Sequence, residues 1–156
     1  MADADGGAVL VVRKVLAASA EFLFDAWTQP ALVARWFHAR ATWTTEIVRS
    51  ELRVGGAWEL VMHGEDGPTC RVFGKYLALE RPTRLAFTWH PDEREDYETV
   101  VDLTFKSIDR DTTEMVLTHR ALRTEADRER HGQGWEGCLA SLAALVEARA
   151  HVERRA

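Results

Sequence analysis

From Thr42 to about Arg120 the apolar residues recur at every second position, and beyond Thr124 they recur every three or four. This switch constrains the fold more than any other feature of the chain. A period of two builds strands with one buried face, and a period near 3.6 builds a helix with a buried stripe. Trp58, Leu60 and Met62 alternate with Ala57, Glu59, Val61 and His63; Leu85, Phe87 and Trp89 repeat the pattern, and Val101, Leu103 and Phe105 repeat it again. Strands are therefore expected at 42–51, 57–63, 69–80, 84–90, 97–107 and 113–120. The gaps between them are short and rich in turn formers: Val54-Gly55-Gly56, Gly64 to Gly67, Pro82, Asp92 to Asp96 and Asp109 to Asp111. Gaps of this length join antiparallel neighbours. In the last segment Trp135, Leu139, Leu142 and Val146 are spaced at 4, 3 and 4, and Cys138 and Leu145 widen the stripe. That spacing predicts a helix over about 124–150.

Upstream of this pattern, Ala8 to Leu16 reads as a strand. Ser19 is a good N-cap for a short helix over 19–28. Pro30 suits the first helical position of a second short helix carrying Leu32, Val33, Trp36 and Phe37. Strands in bulk followed by a helix argue α+β rather than a parallel α/β sheet. The expectation is a curved antiparallel sheet of six or seven strands wrapped around the long C-terminal helix, with two short helices after strand one. The 156 residues fit one domain, 1–156, with an ordered core of about 8–150 and loose ends at 1–7 and 150–156.

The formal net charge is −5 and there is no basic cluster, so neither nucleic acid nor an anionic membrane surface is an expected partner. No apolar run reaches the ~20 residues of a membrane span, and Met1 to Gly7 has no basic or apolar leader region. Cys70 and Cys138 stand apart, as in proteins of reducing compartments. A cytoplasmic location is expected.

Motif chemistry is sparse. Gly132-Gln-Gly-Trp-Glu-Gly137 spells a dinucleotide fingerprint, but that motif works between a strand and a helix of a parallel unit, and here no strand follows. The glycines, Gly134 and Gly137 above all, instead suggest a steric need, to let the sheet or a ligand approach the helix closely, since each costs roughly 1 kcal/mol of helix propensity. The six histidines show no metal-ligand spacing, so no metal and no cofactor is expected. No nucleophile elbow is present. The run Asp92 to Glu98 reads as a solvated loop. His119 and His131 are expected to be satisfied, semi-buried histidines and are also the best acid/base candidates, because histidine titrates near neutrality.

The aromatic residues say more. Trp58, Leu60 and Met62 share a strand face, as do Phe87 and Trp89, and Trp135 lies on the helix stripe. A strongly curved sheet around one helix is hard to fill at its open end, so a pocket is expected there. Its lining is assigned to Trp58, Leu60, Met62, Phe87, Trp89, Leu103, His119, His131, Trp135 and Leu139.

Several short segments, taken in order, resemble one family. They are Arg13 with Ala17 to Glu21, Phe24-Asp-Ala-Trp-Thr28, Leu32 and Trp36, Val54-Gly-Gly-Ala-Trp58, Asp66-Gly67 and Gly74-Lys-Tyr76. Glu80-Arg-Pro82, Arg84 to Thr88, Thr113-Glu-Met115, Leu117-Thr-His119, His131, Gly134-Trp135, Leu139 and Leu142 continue the series. The pattern resembles the Aha-type branch of the START-like (SRPBCC) superfamily, related to the C-terminal domain of the activator of the heat shock protein 90 ATPase. The resemblance implies a helix-grip fold and a cavity between sheet and long helix that takes apolar molecules. It implies no universal catalytic residue, so none is assigned. Chaperone-activating members have a separate N-terminal domain that these residues do not include, and a chaperone contact is not the expectation.

The function expected is binding of an apolar or amphipathic small molecule, with no demonstrable catalysis; a homodimer stays open as an assembly. A cyclase- or dehydratase-like enzyme using His119 or His131 is one alternative, and a protein-interaction or chaperone-associated module is the other. A buried pocket with a histidine of strongly shifted pKa would favour the enzyme. A filled core with a large exposed apolar patch would favour the module.

Overall fold

The computed structural model of the chain describes residues 7–155. Its elements follow in the expected order: β1 (Ala8–Leu16), α1 (Ala20–Thr28), α2 (Pro30–Trp36), β2 (Thr44–Ser50), β3 (Ala57–Gly64), β4 (Gly67–Glu80), β5 (Arg84–Trp89), a 3-10 turn (Pro91–Glu93), β6 (Thr99–Asp109), β7 (Thr112–Leu122) and α3 (Glu125–Arg155). The seven strands form one antiparallel, curved, open sheet in the order β1-β7-β6-β5-β4-β3-β2. The helix-grip expectation is met: this is an α+β fold with its long helix at the C-terminus.

Local chemistry sets the element ends. Ser19 Oγ accepts from the Phe22 amide at 3.1 Å and caps α1. Pro30 opens α2, where its missing N–H leaves nothing unpaired. Trp36 Nε1 donates to the Ala26 carbonyl at 2.8 Å, and the Trp27 and Trp36 rings meet edge to face at 4.7 Å, which ties the two helices together. Thr124 Oγ1 accepts from the Asp127 amide at 3.0 Å at the head of α3.

β4 is the longest strand, and its two halves serve different neighbours. Gly67 to Lys75 pairs with β3, and Tyr76 to Glu80 pairs with β5. A Cβ at Gly74 would lie 2.0 Å from the Thr88 carbonyl oxygen, and Thr88 Oγ1 accepts from the Lys75 amide at 2.8 Å. Only a glycine allows the two strands to approach so closely there.

α3 buries Trp135, Cys138, Leu139, Leu142 and Val146, the stripe that the spacing predicts. The helix runs through Arg155 instead of ending near 150, because residues 148–155 contain no Gly or Pro to stop it. Of the ends expected to be loose, 1–6 and 156 lie outside the described residues.

The two helix glycines differ. A Cβ at Gly137 would lie 2.0 Å from the Ala39 carbonyl oxygen, so that position has the expected steric role. Gly134 has no atom within 4 Å of its would-be Cβ, so no protein group crowds it and only the ligand-side half of the expectation stays open there. The two alanine variants should therefore change stability in opposite directions. Gly137→Ala should cost about 1–3 kcal/mol through overpacking, whereas Gly134→Ala should gain up to about 1 kcal/mol of helix propensity. Denaturant unfolding of the two variants beside the wild type checks the signs.

Candidate functional site

The interior is organised by aromatic rings in contact. Trp27 meets Phe37 at 5.9 Å and Phe37 meets Trp135 at 5.8 Å. Trp135 meets Trp89 at 5.1 Å, Trp89 meets Trp58 at 5.8 Å, and Trp58 meets Phe87 at 5.3 Å. Rings from α1, the end of α2, β3, β5 and α3 thus form one continuous body.

A chain of hydrogen bonds runs beneath it. Trp135 Nε1 donates to His119 Nδ1 at 3.1 Å. An indole N–H can only donate, so Nδ1 carries no proton, and the neutral ring holds its hydrogen on Nε2. That nitrogen lies 2.7 Å from Thr99 Oγ1 and donates to it, and the Thr99 hydroxyl donates to the Trp89 carbonyl at 2.7 Å. His119 and Thr99 are fully buried. Burial pulls the His119 pKa down to about 3, with the neighbouring His131 adding to the effect. The shifted pKa belongs to a residue with both nitrogens engaged inside the protein and no place on a cavity wall. It marks a structural histidine, not a proton donor or acceptor for chemistry.

Beside this chain lies a cavity of about 470 Å³, within the ~300–1,000 Å³ typical of small-molecule sites. Met62, Val72, Trp89, Trp135 and Cys138 form its buried wall. The exposed Thr69, Asp92, Glu93 and Arg130 mark its mouth. Gly134 opens onto it, which accounts for the space around that glycine. Cys70 and Cys138 both line it as free thiols. Burial pushes both pKa values up, that of Cys138 to about 12, so they stay protonated and make poor nucleophiles.

His131 is half-buried on the same wall. Its Nδ1 lies 2.8 Å from the Asp127 carbonyl oxygen, and its ring meets that of His119 edge to face at 5.0 Å. Burial lowers its pKa, with the Asp127 hydrogen bond opposing.

The 92–98 run is an exposed loop, as expected, apart from the buried Tyr97, and it is also held in place at the mouth. Asp92 and Glu93 take left-handed backbone, φ 56° and 58°, a costly pair for non-glycine residues. Arg130 holds Asp92 through contacts of 2.6 and 3.3 Å and reaches Asp127 at 3.0 Å. Tyr97 is buried, and its hydroxyl donates to Asp127 Oδ2 at 2.8 Å. The 91–97 segment is thereby latched onto α3.

The ten residues assigned from the sequence do not form one lining. Met62, Trp89, His131 and Trp135 line the large cavity. Trp58, Leu60 and Phe87 line a separate gap of only about 40 Å³, where Trp27 and Trp58 also bury indole N–H groups that find no partner. Leu103, His119 and Leu139 line neither and are core residues. The split arises because aromatic rings from five elements come between the two sets of lining residues. Cys70, Trp43, Asp92, Glu93 and Arg130 were not assigned. Cys70 was hidden by a register shift at Met62/His63, which sets Met62 opposite Cys70; the mouth residues look like an ordinary charged loop in the sequence. Among the described residues no cluster of three or more His, Cys, Asp or Glu side chains could hold a metal ion, and no helix is long and apolar enough to cross a membrane.

Comparison with known proteins bears on this geometry. The model of the family described as Activator of Hsp90 ATPase homolog 1-like protein matches residues 17–147. The AHSA1 protein of Silicibacter pomeroyi shares 25% identity, with a TM-score of 0.79 over 91% of this chain and 99% of that one. The AHSA1-like protein of Aeromonas hydrophila shares 28% identity, with a TM-score of 0.77 over 92% and 94% of the two chains. An HSP90 activator from Plasmodium falciparum, at 21% identity and a TM-score of 0.70 over 89% and 96%, shares the fold. Among curated proteins none matches the chain.

The buried histidine makes stability depend on pH. The folded pKa of His119 lies below the ordinary value of 6.5, so on acidification the unfolded chain takes up the proton first. Its contribution is complete above about pH 6.5 and is lost as pH falls toward 3. Between pH 6.5 and 5, where most carboxylates remain ionised, the loss from this one group should reach about 2 kcal/mol. A His119→Gln variant should be less stable at pH 7.5 but decline less steeply over that window; urea unfolding at a series of pH values measures both.

Proposed function

Because the chain belongs to the family of Activator of Hsp90 ATPase homolog 1-like proteins, we propose that it is a START-like domain that binds an apolar or amphipathic small molecule between its sheet and its C-terminal helix. The cavity of about 470 Å³, with Trp89, Trp135 and Met62 in its wall and an opening at the Asp92–Arg130 mouth, carries this reading. The two free thiols support a reducing compartment. The enzyme alternative loses His119, whose two nitrogens are already bonded. The interaction-module alternative called for a filled core, and an open cavity speaks against it.

Magnitudes bound the affinity. A ligand burying ~400 Å² of apolar surface gains about 10 kcal/mol at ~25 cal/mol/Å². Loss of translational and rotational freedom takes back at least ~4 kcal/mol. What is left corresponds to a Kd of tens of micromolar or weaker.

Gly134→Leu is the variant of choice for a test, because its side chain grows into the cavity and away from the packed core. Tryptophan fluorescence titrations with fatty acids, flavonoids and aromatic hydrocarbons should give Kd values in that range for the wild type. Gly134→Leu should bind at least about tenfold more weakly while unfolding at a similar temperature. If no member of the set binds the wild type, the small-molecule reading is wrong and the interaction module takes its place.

A further inference from the structure

Besides its thiols and the half-buried Trp43 indole, which can only donate, the wall of the large cavity offers one half-buried polar side chain, His131. Its Nδ1 lies 2.8 Å from the Asp127 carbonyl oxygen. A carbonyl can only accept, so Nδ1 carries the hydrogen and Nε2 carries a lone pair. No hydrogen bond to Nε2 is formed by the described residues, and the residue lines the cavity. The ring cannot easily turn, because it is wedged edge to face against His119 at 5.0 Å and Trp89 at 6.4 Å. Two of the other polar groups near it are committed. Trp135 Nε1 is spent on His119, and the Arg130 guanidinium is held by Asp92 and Asp127. His131 is lowered in pKa by burial, which keeps the ring neutral and the lone pair available.

Resting on the small-molecule reading, we propose that the cavity selects planar aromatic ligands bearing a hydroxyl group that donates to His131 Nε2. Trp89 and Trp135 supply flat apolar walls for the ring system. The imidazole supplies an acceptor that a hydroxyl satisfies. An ether on the same scaffold cannot satisfy it, since it would bring one lone pair against another. Selection therefore turns on the direction of a single hydrogen bond, and the apolar area is common to both ligands.

The test uses a matched pair, 2-naphthol and 2-methoxynaphthalene, titrated by calorimetry at pH 7.5 into the wild type and into His131→Phe. The wild type should prefer the naphthol by about tenfold, the scale of one well-made buried hydrogen bond. His131→Phe should lose that preference while binding the ether no more weakly than the wild type does. Long-range nitrogen–proton NMR of the wild-type histidine rings provides a second reading that needs no variant to fold. His131 should show a protonated Nδ1 and a bare Nε2, and the Nε2 resonance should shift with naphthol and stay put with the ether. Equal affinity for the two ligands, a preference that survives in His131→Phe, or a protonated Nε2 overturns the hydroxyl assignment and leaves the cavity reading intact. If neither naphthalene nor any other apolar compound binds, the cavity reading falls and this proposal falls with it.

Discussion

The Trp135 indole donating to His119, which donates to Thr99, which donates to the Trp89 carbonyl, is the constraint on which the interior depends. Each member comes from a different element: α3, β7, β6 and β5. The chain therefore fixes the turn of the C-terminal helix about its axis relative to three adjacent strands, which apolar packing alone would specify loosely. Every donor and acceptor along it is used, the condition under which buried polar groups can be tolerated. Each bond contributes about 1 kcal/mol net, but an orphaned member would cost more than its bond is worth. Loss of one link therefore endangers the whole.

That fixed rotation decides where space is left. With Trp135 held over His119, its ring closes the centre of the concavity together with Trp89, Trp58 and Phe37. The next residue toward the helix N-terminus on the wall is Gly134, whose lack of a side chain opens the large cavity. Three residues further along, Gly137 does the reverse and lets the Ala39 backbone close against the helix. One glycine makes room for backbone and the other makes room for the cavity, on successive turns of one helix.

The architecture was legible because period is a local property. The alternation of Trp58, Leu60 and Met62 survives into β3 unchanged, and the Trp135 to Val146 spacing survives into the buried stripe of α3. The site was only partly legible, because strand parity says which face a residue joins but not how deep it lies. Leu103 and Phe87 share a face with cavity residues, yet Leu103 is sealed in the core and Phe87 borders a different gap. Depth is set by contacts between elements, such as the approach of Gly74 to Thr88 and the register shift beside Met62, which strand parity does not encode. The mouth was least legible. Asp92, Glu93 and Arg130 acquire a role only when a loop and a helix 38 positions apart in sequence are brought together.

The two neighbouring histidines show how the same side chain takes opposite roles from its first partner. At His119 an indole donor occupies Nδ1, which drives the hydrogen to Nε2 and turns the residue inward to Thr99. At His131 a backbone carbonyl occupies Nδ1, which pins the hydrogen there and leaves Nε2 as an acceptor on the cavity wall. Their rings are 5.0 Å apart, so a charge on one would oppose a charge on the other, and burial already disfavours both charges. The pair is most stable when both rings are neutral. Under the proposed reading, such an aromatic interior with the His131 acceptor on its wall would discriminate by shape and by hydrogen-bond direction. At the entrance Asp92 and Arg130 form an ion pair that helps to order the loop, beside the exposed Glu93.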